Sequence, residues 1–160
     1  MRVKLRPLNV NDYQPIITVV DEWWGGEPMA VHLPRLFFIH FQSGSVVAEI
    51  EGQIAGFLVG FRSQTHANQA YIHFVATNPL YRGQGIARQL YQHFFKQMRE
   101  WGCNEVYSLT SPTNSGSIQF HQKMGFRLLP GDKELGGIPV STDYDGPGQT
   151  LVLFQRTLYQ

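Results

Sequence analysis

An arginine followed by two glycines, within Tyr81–Ala87, is the part of the chain best suited to bind a phosphate. The stretch comes after an apolar run, residues 71–76, and opens an amphipathic helical pattern. Between a strand and a helix, free backbone N–H groups lie at the positive end of the helix dipole. Gly83 and Gly85 let a phosphate approach the main chain, and Arg82 can add a charge-assisted contact. The stretch therefore predicts a site for a phosphate-bearing ligand.

Two other phosphate-binding motifs fit these residues less well. A dinucleotide fingerprint requires a third glycine or an alanine where Arg88 stands, and an acidic residue at the end of the next strand. Glu105 lies at about the right distance, but it opens its strand instead. The nucleotide P-loop is excluded because the sequence contains no Gly-Lys-Ser or Gly-Lys-Thr.

The elements that must position this stretch follow the order β-α-α-β-β-β-α-β-α-β-β. Alternation and short apolar runs predict strands over residues 3–8, 45–51, 53–61, 70–77, 105–110, 126–129 and 150–156. Helical spacing predicts four helices, from Asn9 or Asn11 to Val20, from His32 to Gln42, from Gly85 to about Trp101, and from Asn114 or Ser115 to Gly125. Residues 130–148 are predicted to form one long irregular loop, and such loops often carry function.

Length and composition restrict the class of protein. With 160 residues, 42% hydrophobic and 16% charged, the chain is expected to form one globular domain, residues 1–160. A net charge of +1 favours neither a nucleic-acid partner nor a polybasic membrane surface. The single cysteine, Cys103, provides no metal cluster. The first residues lack a signal-peptide core, and no apolar run approaches the roughly 20 residues of a membrane span, so we expect a cytoplasmic protein.

A second motif lies downstream of the first. Asn114-Ser115-Gly116-Ser117 is followed by Phe120-His121-Gln122-Lys123-Met124-Gly125-Phe126. Arg82-Gly83-Gln84-Gly85-Ile86-Ala87 fits an Arg/Gln-x-x-Gly-x-Gly/Ala signature, and the two motifs in this order resemble those of the GNAT N-acetyltransferase superfamily. The resemblance extends over the element order from residue 1 to about residue 156.

The resemblance implies a fold class and a reaction. The fold would be α/β (α+β), with a mixed, mostly antiparallel central sheet of about six to seven strands flanked by about four helices. The cofactor would be acetyl-CoA, and a primary amine of a small molecule or peptide would attack its thioester directly. A homodimer, formed through the final strands, is also expected by resemblance.

The resemblance further assigns the cofactor contacts. The pyrophosphate of coenzyme A would be held by Arg82, Gly83, Gln84, Gly85, Ile86, Ala87 and Arg88. The backbone of Val75 and Thr77 would hydrogen-bond the pantetheine arm, which Asn114 would also reach. Two simpler interpretations stay open: an ordinary strand-to-helix turn at the glycines, and a plain helix cap at Asn114.

Two histidines are candidates for proton transfer. His121 occupies the position where the superfamily commonly has a tyrosine acid, so we expect it to protonate the leaving thiolate or to order a water that does. Strand alternation places His73 on one face with Tyr71 and Val75, where it could act as general base toward the incoming ammonium. The alternatives are a histidine packed on a helix face for His121 and a hydrogen-bonded core histidine for His73.

The acceptor is expected to lie between two loops. By resemblance these are the segment after the first helix and the one before the last strand, and their candidate residues are Trp23, Trp24, Glu27, Asp143, Tyr144 and Asp145. Aromatic rings can form an apolar or cation-binding wall, and carboxylates can attract a cationic amine. The alternative is that the tryptophans belong to the core and the acids form turns.

Two classes of function therefore stay open. The first is an acetyl-CoA-dependent N-acetyltransferase. The second is a non-catalytic acyl-CoA-binding regulatory module, which the absence of the usual tyrosine allows. Residues with proton-transfer capacity and the two acceptor loops favour the enzyme.

Overall fold

The computed structural model describes residues 2–159, in which nine strands form two sheets. The strands are β1 Val3–Pro7, β2 Val46–Ile50, β3 Gln53–Arg62, β4 Gln69–Thr77, β5 Glu105–Thr110, β6 Arg127–Leu128, β7 Lys133–Leu135, β8 Ile138–Val140 and β9 Val152–Thr157. Seven of them form the main sheet, in the order β1-β2-β3-β4-β5-β9-β6, and β7 pairs with β8. In the main sheet only β4 and β5 are parallel, so the predicted mixed, mostly antiparallel sheet is confirmed.

Helices cover both faces of the main sheet. They are α1 Tyr13–Ile17, α2 Val20–Trp23, α3 Leu36–His40, α4 Ile86–Glu100 and α5 Ser115–Lys123, with 3-10 turns at Val10–Asp12, Ala30–His32 and Pro79–Tyr81. On one face α4 and α5 bury a cluster that includes Leu90, Phe94 and Ile118. On the other face α1, α2 and α3 bury a second cluster that includes Ile16 and Phe38.

Strand β3 lies between β2 and β4, as its nonpolar residues on both faces predict. A Cβ added at Gly60 in this strand would lie 2.4 Å from the ring of Phe94. Only a residue without a side chain therefore lets α4 pack this closely on the sheet.

A β-bulge interrupts β4 at His73. The pairing of β4 with β3 moves from Val59–Phe74 to Gly60–Ile72, which leaves His73 as the extra residue. Ile72 consequently packs with the α4 cluster, whereas Phe74 packs with the cluster under α1–α3. The expected shared face of His73 and Val75 is wrong, because the bulge returns Val75 to the α4 side.

Three predicted elements differ from the observed ones. The first helix divides into α1 and α2 within a run of five β-branched residues, Ile16–Val20, and such side chains disfavour helix. The second helix begins only at Leu36 because Leu33, which precedes Pro34, has a non-helical φ of −123° and ψ of 62°. The loop over residues 130–148 contains the β7–β8 hairpin. Its two-residue turn, Gly136–Gly137, has positive φ at both positions.

Candidate active site

The turn between β4 and α4 has an open, glycine-lined surface. Gly83 and Gly85 both have φ of +78°, a conformation that favours glycine, and Gly85 is the N-cap of α4. A Cβ built on either residue would meet nothing within 4 Å, so the space above this backbone is open. Within residues 2–159 no acceptor is found for the N–H groups of Gly83, Gln84 and Gly85, and no side chain caps α4. These donors, at the positive end of a 15-residue helix, fit a pyrophosphate.

Arg82 points away from this open surface. Its Nη2 donates a hydrogen bond to the carbonyl oxygen of Trp23, at the end of α2. The side chain that was expected to contact the pyrophosphate therefore joins the phosphate turn to the segment after α2. The open surface therefore presents the backbone N–H groups of the turn, whereas Nη2 of Arg82 is already engaged.

Strands β4 and β5 separate beside this turn. They pair only between residues 69–71 and 105–107. Beyond that point the buried Ser108 hydroxyl donates to the carbonyl of Ile72 at 3.3 Å, in place of a strand-to-strand bond. Val75 and Thr77 follow on the part of β4 that β5 no longer covers, which is the arrangement expected if their backbone binds a linear pantetheine arm.

Asn114 caps α5 at the end of the same gap. Its Oδ1 accepts from the backbone N–H of Ser117 at 3.0 Å. The side-chain NH₂ group makes no hydrogen bond within the described part of the chain. The Oδ1 atom of Asn114 thus forms the helix cap, while its Nδ2 atom keeps two N–H donors for a ligand.

His121 lies in the core, 4% exposed, with both ring nitrogens hydrogen-bonded. Nδ1 donates to the carbonyl of Ser117 at 2.8 Å, and Nε2 accepts from the hydroxyl of Tyr91 at 2.9 Å. The ring also stacks on Phe154 at 4.3 Å. Burial lowers the pKa of His121 from 6.5 to about 4, although the hydrogen bond to the Ser117 carbonyl acts to raise it. The expected role as an imidazolium acid is not supported, because the buried ring is neutral and has no free N–H.

His73 is placed differently, at the bulge of β4. Its Nε2 lies 2.6 Å from the carbonyl of His32, which can only accept, so Nε2 carries the proton. No hydrogen bond to Nδ1 is found within residues 2–159, and its lone pair is left available to accept a proton. The ring stacks on Phe37 with centroids 4.2 Å apart. Burial has the largest effect on the pKa of His73 and lowers it, so the imidazole is neutral near pH 7.

The segment after α2 places its predicted residues in different environments. Trp23 is 8% exposed and belongs to the core under α1–α3, which agrees with the alternative that the tryptophans are core residues. Trp24 is partly buried, with its ring 5.8 Å from that of Phe74. Glu27 is exposed. The segment is fixed by Asp21, whose carboxylate accepts from the backbone N–H groups of Met29 and Ala30.

The loop before β9 carries a carboxylate whose charge acts on His73. Asp143 stabilises the loop itself, because its Oδ1 accepts from the N–H of Gly148 at 2.8 Å. Asp145 makes no side-chain hydrogen bond within the described residues, and its charge acts to raise the pKa of His73. Burial, then the charges of Tyr144 and Asp145, raise the pKa of Tyr71. The charge of Asp145 thus acts on two residues of β4, Tyr71 and His73.

Two aromatic residues of this face, Tyr71 and Phe37, were not predicted as site residues, although strand alternation placed Tyr71 on the face of His73. Tyr71 packs on Phe61 with centroids 5.6 Å apart, and Phe37 stacks on His73. Phe37 reaches this face from α3, through a contact between distant segments of the chain that the local residue pattern does not reveal. Within residues 2–159 no cluster of metal-ligating side chains is present, and no helix has the length and hydrophobicity to cross a membrane.

Known proteins share both the sequence pattern and the fold. An acetyltransferase of Pectobacterium atrosepticum is 25% identical over 137 residues, which cover 79% of this chain and 89% of that protein. The N-alpha-acetyltransferase MAK3 of Arabidopsis thaliana is 31% identical over 93 residues, covering 58% of this chain and 45% of that protein. The PaiA N-acetyltransferase of Thermoplasma acidophilum, solved in complex with coenzyme A, superposes with a TM-score of 0.76 at 19% identity, over 98% of this chain and 99% of that one.

The family assignment agrees with the site. The open turn at Gly83–Gly85, the gap between β4 and β5, and the cap at Asn114 occupy the positions that the two sequence motifs predict. The model of the acetyltransferase (GNAT) family matches residues 9–126, which include all three features. This protein therefore belongs to the acetyltransferase (GNAT) family.

Proposed function

We infer that this GNAT enzyme moves the acetyl group of acetyl-CoA to a primary amine by direct attack on the thioester. The observation that carries this inference is the open backbone at Gly83–Gly85, whose N–H donors at the start of α4 have no partner among residues 2–159. When bound, acetyl-CoA supplies the activated acyl group. The backbone of residues 82–88 holds the pyrophosphate, and the separated edges of β4 and β5 hold the pantetheine arm.

His73 serves as the general base in this proposal. The acceptor arrives as an ammonium and must lose a proton before its lone pair can attack the carbonyl carbon. The bond from Nε2–H to His32 fixes the tautomer, and Nδ1 takes the proton directly or through one water. Stacking on Phe37 holds the ring in position on the face that α3 and the loop before β9 enclose.

His121 serves as a positioning residue rather than as the acid. It joins three elements, since its ring bonds Tyr91 on α4 and Ser117 on α5 and stacks on Phe154 of β9. These contacts fix the start of α5, where Asn114 would meet the pantetheine arm. The leaving sulfur takes its proton from solvent in this scheme.

Asp145 is the proposed attractor of the cationic acceptor. Its carboxylate has no hydrogen-bond partner within the described residues and lies on the side of His73 and Tyr71. The exposed ring of Tyr144 stands beside it and offers a face for cation–π contact. Trp24 and Glu27 remain proposed contacts at the opposite edge of the site.

The test is a thiol-release assay with acetyl-CoA and two panels of acceptors, small primary amines and peptides with a free α-amine. Mass spectrometry of the acceptor then shows whether an acetyl group has been added to nitrogen. Tight binding of acetyl-CoA without turnover on either panel would favour the non-catalytic binding module instead.

Three further expectations stay predictions. The chain is expected to act as one acetyltransferase domain over residues 1–160, to form a homodimer, and to reside in the cytoplasm. Sedimentation of the purified protein tests the dimer, and fractionation of cells tests the location.

A further inference from the structure

A pocket of about 410 Å³ lies between α4, the end of α5 and β9, on the face opposite to His73. Its cationic lining consists of Arg88, Arg99, Lys123 and Arg156, and it contains no acidic side chain. The volume is within the range of small-ligand sites, about 300–1,000 Å³. The pocket is separate from the acceptor face, and the mechanism above uses only the backbone of one of its lining residues, Arg88.

None of the four cations has a carboxylate partner within residues 2–159, where both salt bridges belong to Arg6. Arg99 and Arg156 are close enough to repel one another, and burial together with the charge of Arg99 lowers the pKa of Arg156. Four like charges around one cavity destabilise each other unless an anion enters. Among the described residues, 2–159, the charge of the pocket is therefore unbalanced.

Two of the arginines are fixed in place by the fold. Arg156 donates to the carbonyl of Met124 at 2.8 Å and lies over the ring of Phe95, 4.4 Å from its centroid. Gly125 has φ of +90°, which favours glycine, and a Cβ there would be in van der Waals contact, at 3.4 Å, with the Arg156 guanidinium. Arg99 donates through Nε to the carbonyl of Leu158 at 2.9 Å. Each arginine keeps other N–H donors free for a ligand.

The position of the pocket relates it to the phosphate turn. Arg88 lies in the first turn of α4 and is the last of the residues proposed to hold the pyrophosphate, and from it the pocket follows α4 for about 16 Å to Arg99. Lys123 faces α4 from the end of α5 and has no hydrogen-bond partner within the described residues. Arginine forks and a lysine ammonium together match the oxygens of a phosphate monoester.

We propose that this basic pocket is a second phosphate site, which binds a phosphate monoester dianion. Coenzyme A itself carries such a group on its ribose 3′-oxygen, and a separate phosphate compound carries the same chemistry. The first source rests on the proposed use of acetyl-CoA, whereas the second does not. Binding measurements distinguish the two.

The experiment measures dissociation constants by isothermal titration calorimetry for acetyl-CoA, for its 3′-dephospho analogue, and for inorganic phosphate. The variants are Lys123→Gln and Arg99→Gln, and the matched control is Lys96→Gln, an exposed lysine of α4 outside the pocket. All three substituted residues are exposed, and thermal unfolding verifies that each variant is folded.

If the monoester is that of the cofactor, the native protein binds acetyl-CoA at least tenfold more tightly than the dephospho analogue. The two pocket variants reduce this preference to near one, and the control retains it. If the source is separate, acetyl-CoA and its analogue bind equally, while inorganic phosphate binds the native protein and the control but not the pocket variants.

Equal binding of the two cofactors together with no phosphate binding, or equal effects of all three variants, overturns the second site. That result leaves the proposed function intact as long as acetyl-CoA still binds. Failure of the proposed function has a different signature, which is the absence of acetyl-CoA binding to the native protein.

Discussion

The burial of His121 predicts a specific dependence of stability on pH. In the unfolded chain the imidazole takes up a proton near its ordinary pKa of 6.5, whereas in the folded chain burial lowers the pKa to about 4. The unfolded state therefore binds more protons between these values. The stabilising contribution of the neutral ring is complete above pH 6.5 and is lost as the pH falls toward 4.

The size of the loss follows from the same two pKa values. Each pH unit between them changes the free energy of unfolding by about 1.4 kcal/mol, so at pH 4.5 the loss due to His121 is about 2–3 kcal/mol. The ring is 4% exposed, and solvent screening therefore reduces this value little. Replacing His121 with Gln removes the titration.

The assay is urea unfolding at pH 7.5 and pH 4.5 for the native protein, His121→Gln, and His66→Gln as an exposed-histidine control. His121→Gln starts from a lower stability, because it loses hydrogen bonds and ring stacking, but its decrease between the two pH values is smaller by about 2–3 kcal/mol. The control decreases as the native protein does. An equal decrease in His121→Gln would refute the neutral buried ring and reopen the imidazolium acid.

Three other predictions concern the cofactor and the acceptor. Gly85→Ala is expected to cost about 1–2 kcal/mol of stability, because the residue has a positive φ, and to raise the Kd for acetyl-CoA roughly tenfold, because the methyl would enter the open phosphate surface. The control Gly102→Ala, at φ +89° and equally open, is expected to lose only stability, so equal Kd values for the two variants would contradict the prediction. His73→Gln is expected to lower kcat/KM about a hundredfold or more. In the native protein kcat/KM falls at acid pH because the base becomes protonated, and the variant should not show this fall; if it does, His73 is not the base. Asp145→Asn is expected to raise the KM for a cationic amine about three- to fivefold and to leave the Kd for acetyl-CoA unchanged. An equal rise in the KM for a neutral acceptor analogue would argue against charge attraction.

The cofactor half of the protein was predictable because local sequence determines it. A glycine with positive φ, a helix N-terminus and an Asn cap are set by the residues themselves, so the turn at Gly83–Gly85 and the cap at Asn114 lie where the sequence predicts. The seven-stranded main sheet was similarly predictable, since its strands carry clear alternation or apolar runs.

The acceptor half was less predictable because distant contacts determine it. Whether His73 and Val75 share a face depends on one extra residue in the register of β4 against β3, which alternation alone cannot detect. Whether His121 is charged depends on Tyr91 and Phe154, which lie 30 or more residues away in the chain. The Gly136–Gly137 turn is the exception, since its local signal was present and was missed.

A histidine in place of the superfamily's usual tyrosine acid at position 121 is compatible with catalysis, because the leaving thiolate needs help with its proton less than the incoming ammonium does. An alkyl thiol has a pKa of about 8.5, so near pH 7.5 the departing sulfur is stable enough to leave before it takes a proton from water. An aliphatic ammonium, by contrast, has a pKa of about 10.4 and cannot attack until a base removes its proton. The structure retains a neutral imidazole with a free nitrogen on the acceptor face, and it uses the other imidazole to hold α4, α5 and β9 together. In the proposed mechanism His73 is therefore the base at the step where a base is indispensable.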